Sequence, residues 1–138
     1  AVTSAFVTTG YIHVGLSGDY GIAALLTRTV GTARARELMF TGDRVNSERC
    51  EKLGIFNRVV TDGALRETAF EMALSIASGP RQALSFMKDN LEEALKHTFE
   101  ESLDGEASRL IQSTLNTDHK EAVTAFIEKR RPNFKKYA

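Results

Sequence analysis

The sequence predicts an α/β protein in two parts, residues 1–61 of mixed strand and helix character and residues 62–138 helical. Three observations predict this. Strand-like segments fall only in the first part, near Ala5 to Thr8, Tyr11 to Val14 and Phe56 to Val60. From Leu65 onward, apolar residues recur at three- and four-residue spacing, the mark of amphipathic helices. Between them, Val14-Gly15-Leu16-Ser17-Gly18-Asp19-Tyr20-Gly21 reads as a sharp turn leading into a helix.

In chain order, Ile22, Leu25, Leu26 and Val30 form the apolar face of that first helix, and Gly31 stops it. Thr32 can cap a second helix carrying Ala33, Ala35, Leu38 and Met39, which Thr41-Gly42-Asp43 ends. Asn46 or Ser47 opens a short third helix that Gly54 closes. Ile55 to Val60 is β-rich and reads as a strand, and Asp62-Gly63 as a turn or cap. Leu65, Ala69, Met72, Ala73 and Ile76 then share one helical face. Ser78-Gly79-Pro80 breaks that helix, with Pro80 suited to the first turn of the next. Leu84, Met87, Leu91 and Leu95 make one further stripe, and Leu103, Ala107, Leu110, Ile111 and Thr114 another, with Gly105 a weak point. Thr117 or Asp118 caps a last helix bearing Ala122, Val123, Phe126 and Ile127, which Pro132 ends.

The 138 residues suffice for one domain with a real core. At 42% hydrophobic and 26% charged residues the composition is that of an ordinary soluble protein. A formal net charge of zero supplies no global field toward nucleic acid or an acidic membrane, so neither is an expected partner. No apolar run is long enough to span a bilayer. The single cysteine, Cys50, suggests a reducing compartment and hence a cytoplasmic setting, and it reads as structural or incidental. Three strand-like segments are too few for a self-sufficient sheet, and the chain opens directly on strand character. It is expected to be part of something larger.

Metal-ligand spacing, a P-loop, a dinucleotide fingerprint and a nucleophile elbow are all absent from the sequence, so no metal site is expected. Asp19 is the best candidate for chemistry. On residue type alone it is open to two readings: a helix cap that accepts backbone N–H bonds, or an acid/base facing a cleft. The basic tail, Lys129-Arg130-Arg131-Pro132-Asn133-Phe134-Lys135-Lys136-Tyr137, is likewise either solvated or a phosphate contact with Phe134 and Tyr137 as flat faces.

Taken together, Phe6, the Val14 to Gly21 turn and Leu26-Thr27-Arg28-Thr29-Val30-Gly31 resemble the active-site segment and following helix of the crotonase (enoyl-CoA hydratase/isomerase) superfamily. Ala35 to Val45, with its Thr41-Gly42 turn, and Glu48 to Val60 resemble the family's next helices and strand. Thr124 to Arg130, followed by Asn133-Phe134-Lys135, resembles its C-terminal helix and end. The resemblance covers essentially every residue and corresponds to the C-terminal half of a family member.

That resemblance implies the last turns of a crotonase-like ββα spiral over 1–61, then a helical C-terminal oligomerisation region over 62–138. It implies an acyl-CoA substrate, with coenzyme A entering as part of the thioester and no covalently bound cofactor. A homotrimer or dimer of trimers is implied as well. The upstream half of the fold, on another chain or fragment, would hold most of the coenzyme A pocket and the two N–H donors that stabilise the thioester enolate. Family hydratases use two glutamates, one of them eight positions before the residue matching Asp19; here that position is Tyr11. Isomerase branches place an aspartate where Asp19 stands. The implied roles are Asp19 as acid/base, Tyr11, Leu16 and Gly18 lining the acyl pocket, and Phe134 and Lys135 near coenzyme A. Double-bond isomerisation is therefore the expected reaction. The rivals are hydration by a carboxylate from the upstream half and a non-catalytic oligomerisation module.

Overall fold

A computed structural model of the protein describes residues 1–134. The chain divides into two compact units, Ala1–Phe70 and a second that begins at Glu71.

In the first unit the strand-like segments are realised only in part. Strand β1, Phe6–Val7, pairs antiparallel with β2, Val45–Asn46, with Phe6 opposite Asn46 and Val7 opposite Val45. Val60 makes a single parallel bridge with Val2, so the expected strand over Ile55 to Val60 does not form. A strand exists only where a neighbour satisfies its backbone groups, and two-residue partners limit both pairings. Tyr11–Val14 is a 3₁₀ helix rather than a strand. Gly15, in the left-handed region at φ +69°, ends it: its N–H donates back to the Ile12 carbonyl at 3.3 Å, and the next N–H, of Leu16, donates to the Tyr11 carbonyl.

Helix α1, Ile22–Val30, runs from Gly21 to Gly31. Helix α2, Thr32–Thr41, also starts from Gly31, and Thr32 does not cap it; Gly42, left-handed at φ +64°, closes it. Helix α3, Ser47–Lys52, is capped by Asn46, whose side chain accepts from the Arg49 N–H at 2.9 Å. Helices α1 and α2 pack on each other, and α3 packs on both strands. The core they enclose consists of Leu26, Ala35, Leu38, Val45, Cys50 and Leu53, with Val7, Ile22, Met39 and Phe56 against it. Cys50 is fully buried and its thiol is pushed up by desolvation, which makes it a packing residue. Asp62 ties the start of the chain to its turn, accepting from Thr3 Oγ1 at 2.9 Å and Ser4 N at 3.2 Å.

The helices that follow are α4 (Leu65–Ala77), which crosses the boundary between the units, α5 (Arg81–Glu93), α6 (Phe99–Thr114) and α7 (Thr117–Ile127). Pro80 is the residue before α5 rather than within its first turn. Thr98 and Glu101 form a reciprocal capping box at the start of α6. Asn116, not Thr117 or Asp118, caps α7, accepting from the Asp118 N–H at 2.8 Å. Helix α7 stops at Ile127, well before Pro132, because the chain bends back with Lys129 at φ +54°. That bend carries Arg130 onto Glu121, which is buried and accepts from the guanidinium at 2.6 Å and from the Asn133 N–H at 2.8 Å. Helices α5 and α6 are joined by Arg109, which forks onto both carboxylate oxygens of Glu93 and onto Asn90. Gly105 leaves room for that fork: a Cβ there would lie 2.9 Å from Glu93 Oε2. Helical spacing of the expected stripes is realised, yet Leu91, Leu103, Leu110, Ile111, Phe126 and Ile127 are all exposed in this chain. No helix among the described residues is long and apolar enough to cross a membrane.

Candidate active site

The 3₁₀ helix is anchored to α2 by short polar contacts. Thr9 donates its hydroxyl to the buried Leu38 carbonyl at 2.7 Å, and Thr8 donates to the Gly42 carbonyl at 2.8 Å. His13 Nε2 donates to the same Gly42 carbonyl at 3.2 Å. Gly42 accommodates this approach because it has no Cβ; one would fall 2.7 Å from both His13 and Ile12. These contacts fix Tyr11, the first residue of the 3₁₀ helix. Thr8, Thr9 and His13 carry no periodic signal, and only the Thr8-Thr9-Gly10 polar run hints at their anchoring role.

From Val14 the chain loops out and returns to α1. Leu16 N donates to the Tyr11 carbonyl at 3.0 Å, and Ile22 N to the Asp19 carbonyl at 3.0 Å. Gly18 is strained for any other residue, with φ +110° and a Cβ position only 2.9 Å from Ile22 Cγ2 and 3.3 Å from Met39 Cε. It seats the loop against α1 and α2. Gly21, not Asp19, occupies the cap position of α1, and no side chain caps that helix. The cap reading of Asp19 is therefore replaced. Its carboxylate instead accepts a hydrogen bond from the Tyr11 hydroxyl, with Oη to Oδ1 at 2.5 Å. A charged acceptor makes this a strong class of hydrogen bond. The bond and the negative charge beside it hold the Tyr11 proton on, raising the phenol above its ordinary value. Oδ2 of Asp19 has no hydrogen-bond partner among the described residues.

Asp19 is exposed and Tyr11 half-buried; the exposed Leu16 stands earlier on the same loop, and the almost fully exposed Tyr20 follows Asp19 directly. The structure thus brings Tyr11 and Asp19 together and places Leu16 and Gly18 on the loop that joins them. Phe134 belongs to the second unit, where it lines a cavity of about 140 Å³ with Pro80, Ala83, Asn116 and His119. Lys135 lies outside the described residues. Arg130 of the basic tail keeps an exposed side chain, but its guanidinium is paired with Glu121 and Glu128. Among the described residues no cluster of His, Cys, Asp and Glu could hold a metal ion.

A one-carboxylate site on a glycine-lined turn, followed by a helix, is the local pattern that the sequence resemblance implied. Residues 1–137 match the family model described as enoyl-CoA hydratase/isomerase. The chain belongs to this family. It is 32% identical over 134 residues to the 1,2-epoxyphenylacetyl-CoA isomerase of Escherichia coli K12, covering 97% of this chain and 51% of that protein. It is also 32% identical over 124 residues to the mitochondrial enoyl-CoA hydratase of Pongo abelii, covering 90% of this chain and 43% of the relative. In fold it superposes on the enoyl-CoA hydratase of Bacillus anthracis with a TM-score of 0.92 at 28% identity, over 97% of this chain and 52% of the other. The chain spans about half the length of the curated relatives it matches.

Proposed function

We propose that this chain supplies the acid/base half of an acyl-CoA isomerase, with Asp19 moving a proton between carbons of an enoyl thioester. The observation that carries the reading is the single exposed carboxylate of Asp19, held at one oxygen by a phenol and open at the other. A carboxylate so placed removes a proton from the carbon next to the thioester carbonyl. The electron pair left behind delocalises onto the thioester oxygen as an enolate, conjugated with the double bond. Asp19, now protonated, returns the proton to the far carbon of that system, the enolate collapses, and the double bond has moved. The carboxylate ends as it began, and no cofactor beyond the coenzyme A of the substrate takes part.

Hydration needs a base that activates water, commonly a second carboxylate. The first unit offers a phenol where that group would stand, and a phenol kept protonated by Asp19 is no base near neutral pH. The enolate needs N–H donors, which the family resemblance assigns to the upstream half of the fold, and the exposed apolar side chains Val14, Leu16 and Leu25 suit burial against such a half. On this reading Leu16 and Gly18 shape the acyl pocket, and Phe134 and Lys135 contact coenzyme A within a trimeric assembly.

Hydration remains a second reading because several relatives are named as hydratases, among them one at 37% identity from Rhizobium meliloti. Product analysis separates the two. A 3-enoyl thioester converted to its conjugated 2-enoyl isomer supports isomerisation. A 3-hydroxyacyl product from a 2-enoyl thioester, with no shifted double bond, supports hydration. Asp19→Asn is expected to lower isomerase turnover by at least about a thousandfold, as loss of an essential acid/base does.

A further inference from the structure

We propose that Tyr11 is the positioning residue of this site: its hydroxyl holds Oδ1 of Asp19 and thereby presents Oδ2 as the oxygen that takes and returns the substrate proton. The inference rests on Asp19 being the acid/base, and it adds the group that aims it.

Two features of the fold carry it. The first is a difference in rigidity. Tyr11 stands on a 3₁₀ helix pinned to α2 by Thr8, Thr9 and His13, whereas Asp19 stands on an exposed loop between Gly18 and Gly21. Left alone, an exposed aspartate on a glycine-flanked loop samples several rotamers, and a base that is misdirected much of the time forfeits the gain that comes from a fixed approach. The second is the exclusivity of the contact. The Tyr11 hydroxyl is the sole hydrogen-bond partner of the Asp19 carboxylate among the described residues, at 2.5 Å, so nothing else fixes the two carboxylate oxygens into distinct roles.

The chemistry of the partner suits this task. A phenol whose proton is held on by the neighbouring carboxylate is a donor through the whole neutral range and takes no proton itself. The Tyr11 proton therefore stays on the phenol throughout the cycle while the transferred proton travels on Oδ2. A neighbouring carboxylate would repel Asp19, and an alkyl side chain would leave it loose; a phenol does neither.

The test compares Tyr11→Phe, Asp19→Asn and the parent in the complete enzyme. Tyr11→Phe is expected to lower kcat about ten- to a hundredfold with KM within about twofold, the signature of lost alignment rather than lost binding. Tyr11→Phe should still unfold cooperatively, with only the small loss of stability that follows from deleting one exposed hydrogen bond. In parallel, ¹³C-labelled tyrosine ring signals report the phenol directly, without requiring the Phe variant to fold. Tyr11 should titrate above its ordinary value in the parent and fall back toward it in Asp19→Asn, where the carboxylate charge is gone. Unchanged kcat in Tyr11→Phe, with turnover abolished in Asp19→Asn, overturns the positioning role and leaves Asp19 as the acid/base. Full turnover in Asp19→Asn overturns the underlying reading and this one with it. A Tyr11 signal that titrates at the ordinary value in the parent means the bond is not held in solution, and the positioning role falls on that result alone.

Discussion

Gly18 sets the geometry of the loop that carries Asp19. With φ +110° and a methyl position 2.9 Å from Ile22 Cγ2, Gly18→Ala must adopt a strained backbone and push on the first turn of α1. It is expected to cost about 2 kcal/mol, the scale of a non-glycine residue forced into such a region, read as a lower urea midpoint. Wild-type stability in that variant would mean that the loop has another conformation of equal energy. The Tyr11–Asp19 bond has its own pH window. The protonated phenol is the donor, so the contribution is complete below the ordinary phenol value of 10.0 and is lost as pH rises through the raised value of the folded protein. At this scale the glycine-lined turn was legible, because Gly15, Gly18 and Gly21 announce a backbone that other residues cannot follow. The family resemblance placed Tyr11 in the same site, but the hydrogen bond from Tyr11 to Asp19 was not legible, because the two are joined by a loop with no periodicity to reveal the contact.

Between α5 and α6, the Arg109 guanidinium holds the Glu93 carboxyl below its ordinary value. A depressed carboxylate contributes stability that is full above the unfolded value of 4.5 and is lost as pH falls through the folded one. Amide exchange in the facing turns of α5 and α6 is therefore expected to speed up first as the protein is acidified below about pH 4.5. Arg109→Met should remove that acid sensitivity, and a persistent acid response in the variant would assign it elsewhere. At the start of α6, Thr98→Ala removes the acceptor of the Glu101 N–H and should cost about 1 kcal/mol, measured by thermal unfolding. The Thr98-x-x-Glu101 spacing fits a capping box, although the start of α6 was not located from it. Helix ends at glycine were read, as at Gly31 and Gly42. Strands were readable only near Ala5 to Thr8, realised as Phe6–Val7 against Val45–Asn46. The β-branched content of Tyr11 to Val14 and Ile55 to Val60 favours extended backbone, but pairing decides: the first is a 3₁₀ helix, and the second meets only Val2, at Val60, among the described residues. The basic tail misleads for a similar reason. Charge pattern shows that Arg130 is cationic, and only the fold shows that Glu121 waits for it one turn into α7.

Across the whole chain, the helical stripes are regular while much of their apolar surface stays exposed, including Leu91, Leu110, Ile111, Phe126 and Ile127. Apolar surface on this scale marks interaction sites. The purified 138-residue chain is therefore expected to associate as its concentration rises, which light scattering across a dilution series would detect. A monodisperse monomer at every concentration would contradict this. The family was legible because the turn, the helices after it and the C-terminal segment occur in order. The core was only half legible: Leu26, Ala35 and Leu38 lie within periodic faces, whereas Cys50 and Val45 are buried without any pattern that predicts it. The central claim, that Asp19 is a single acid/base shuttling a proton, is tested most directly by supplying the complete enzyme with a 3-enoyl-CoA and identifying the product beside the Asp19→Asn variant. The predicted result is conjugated 2-enoyl-CoA from the parent and at least about a thousandfold less from the variant, with cooperative unfolding retained. A parent that yields no shifted double bond, or a variant that turns over as fast as the parent, would contradict it.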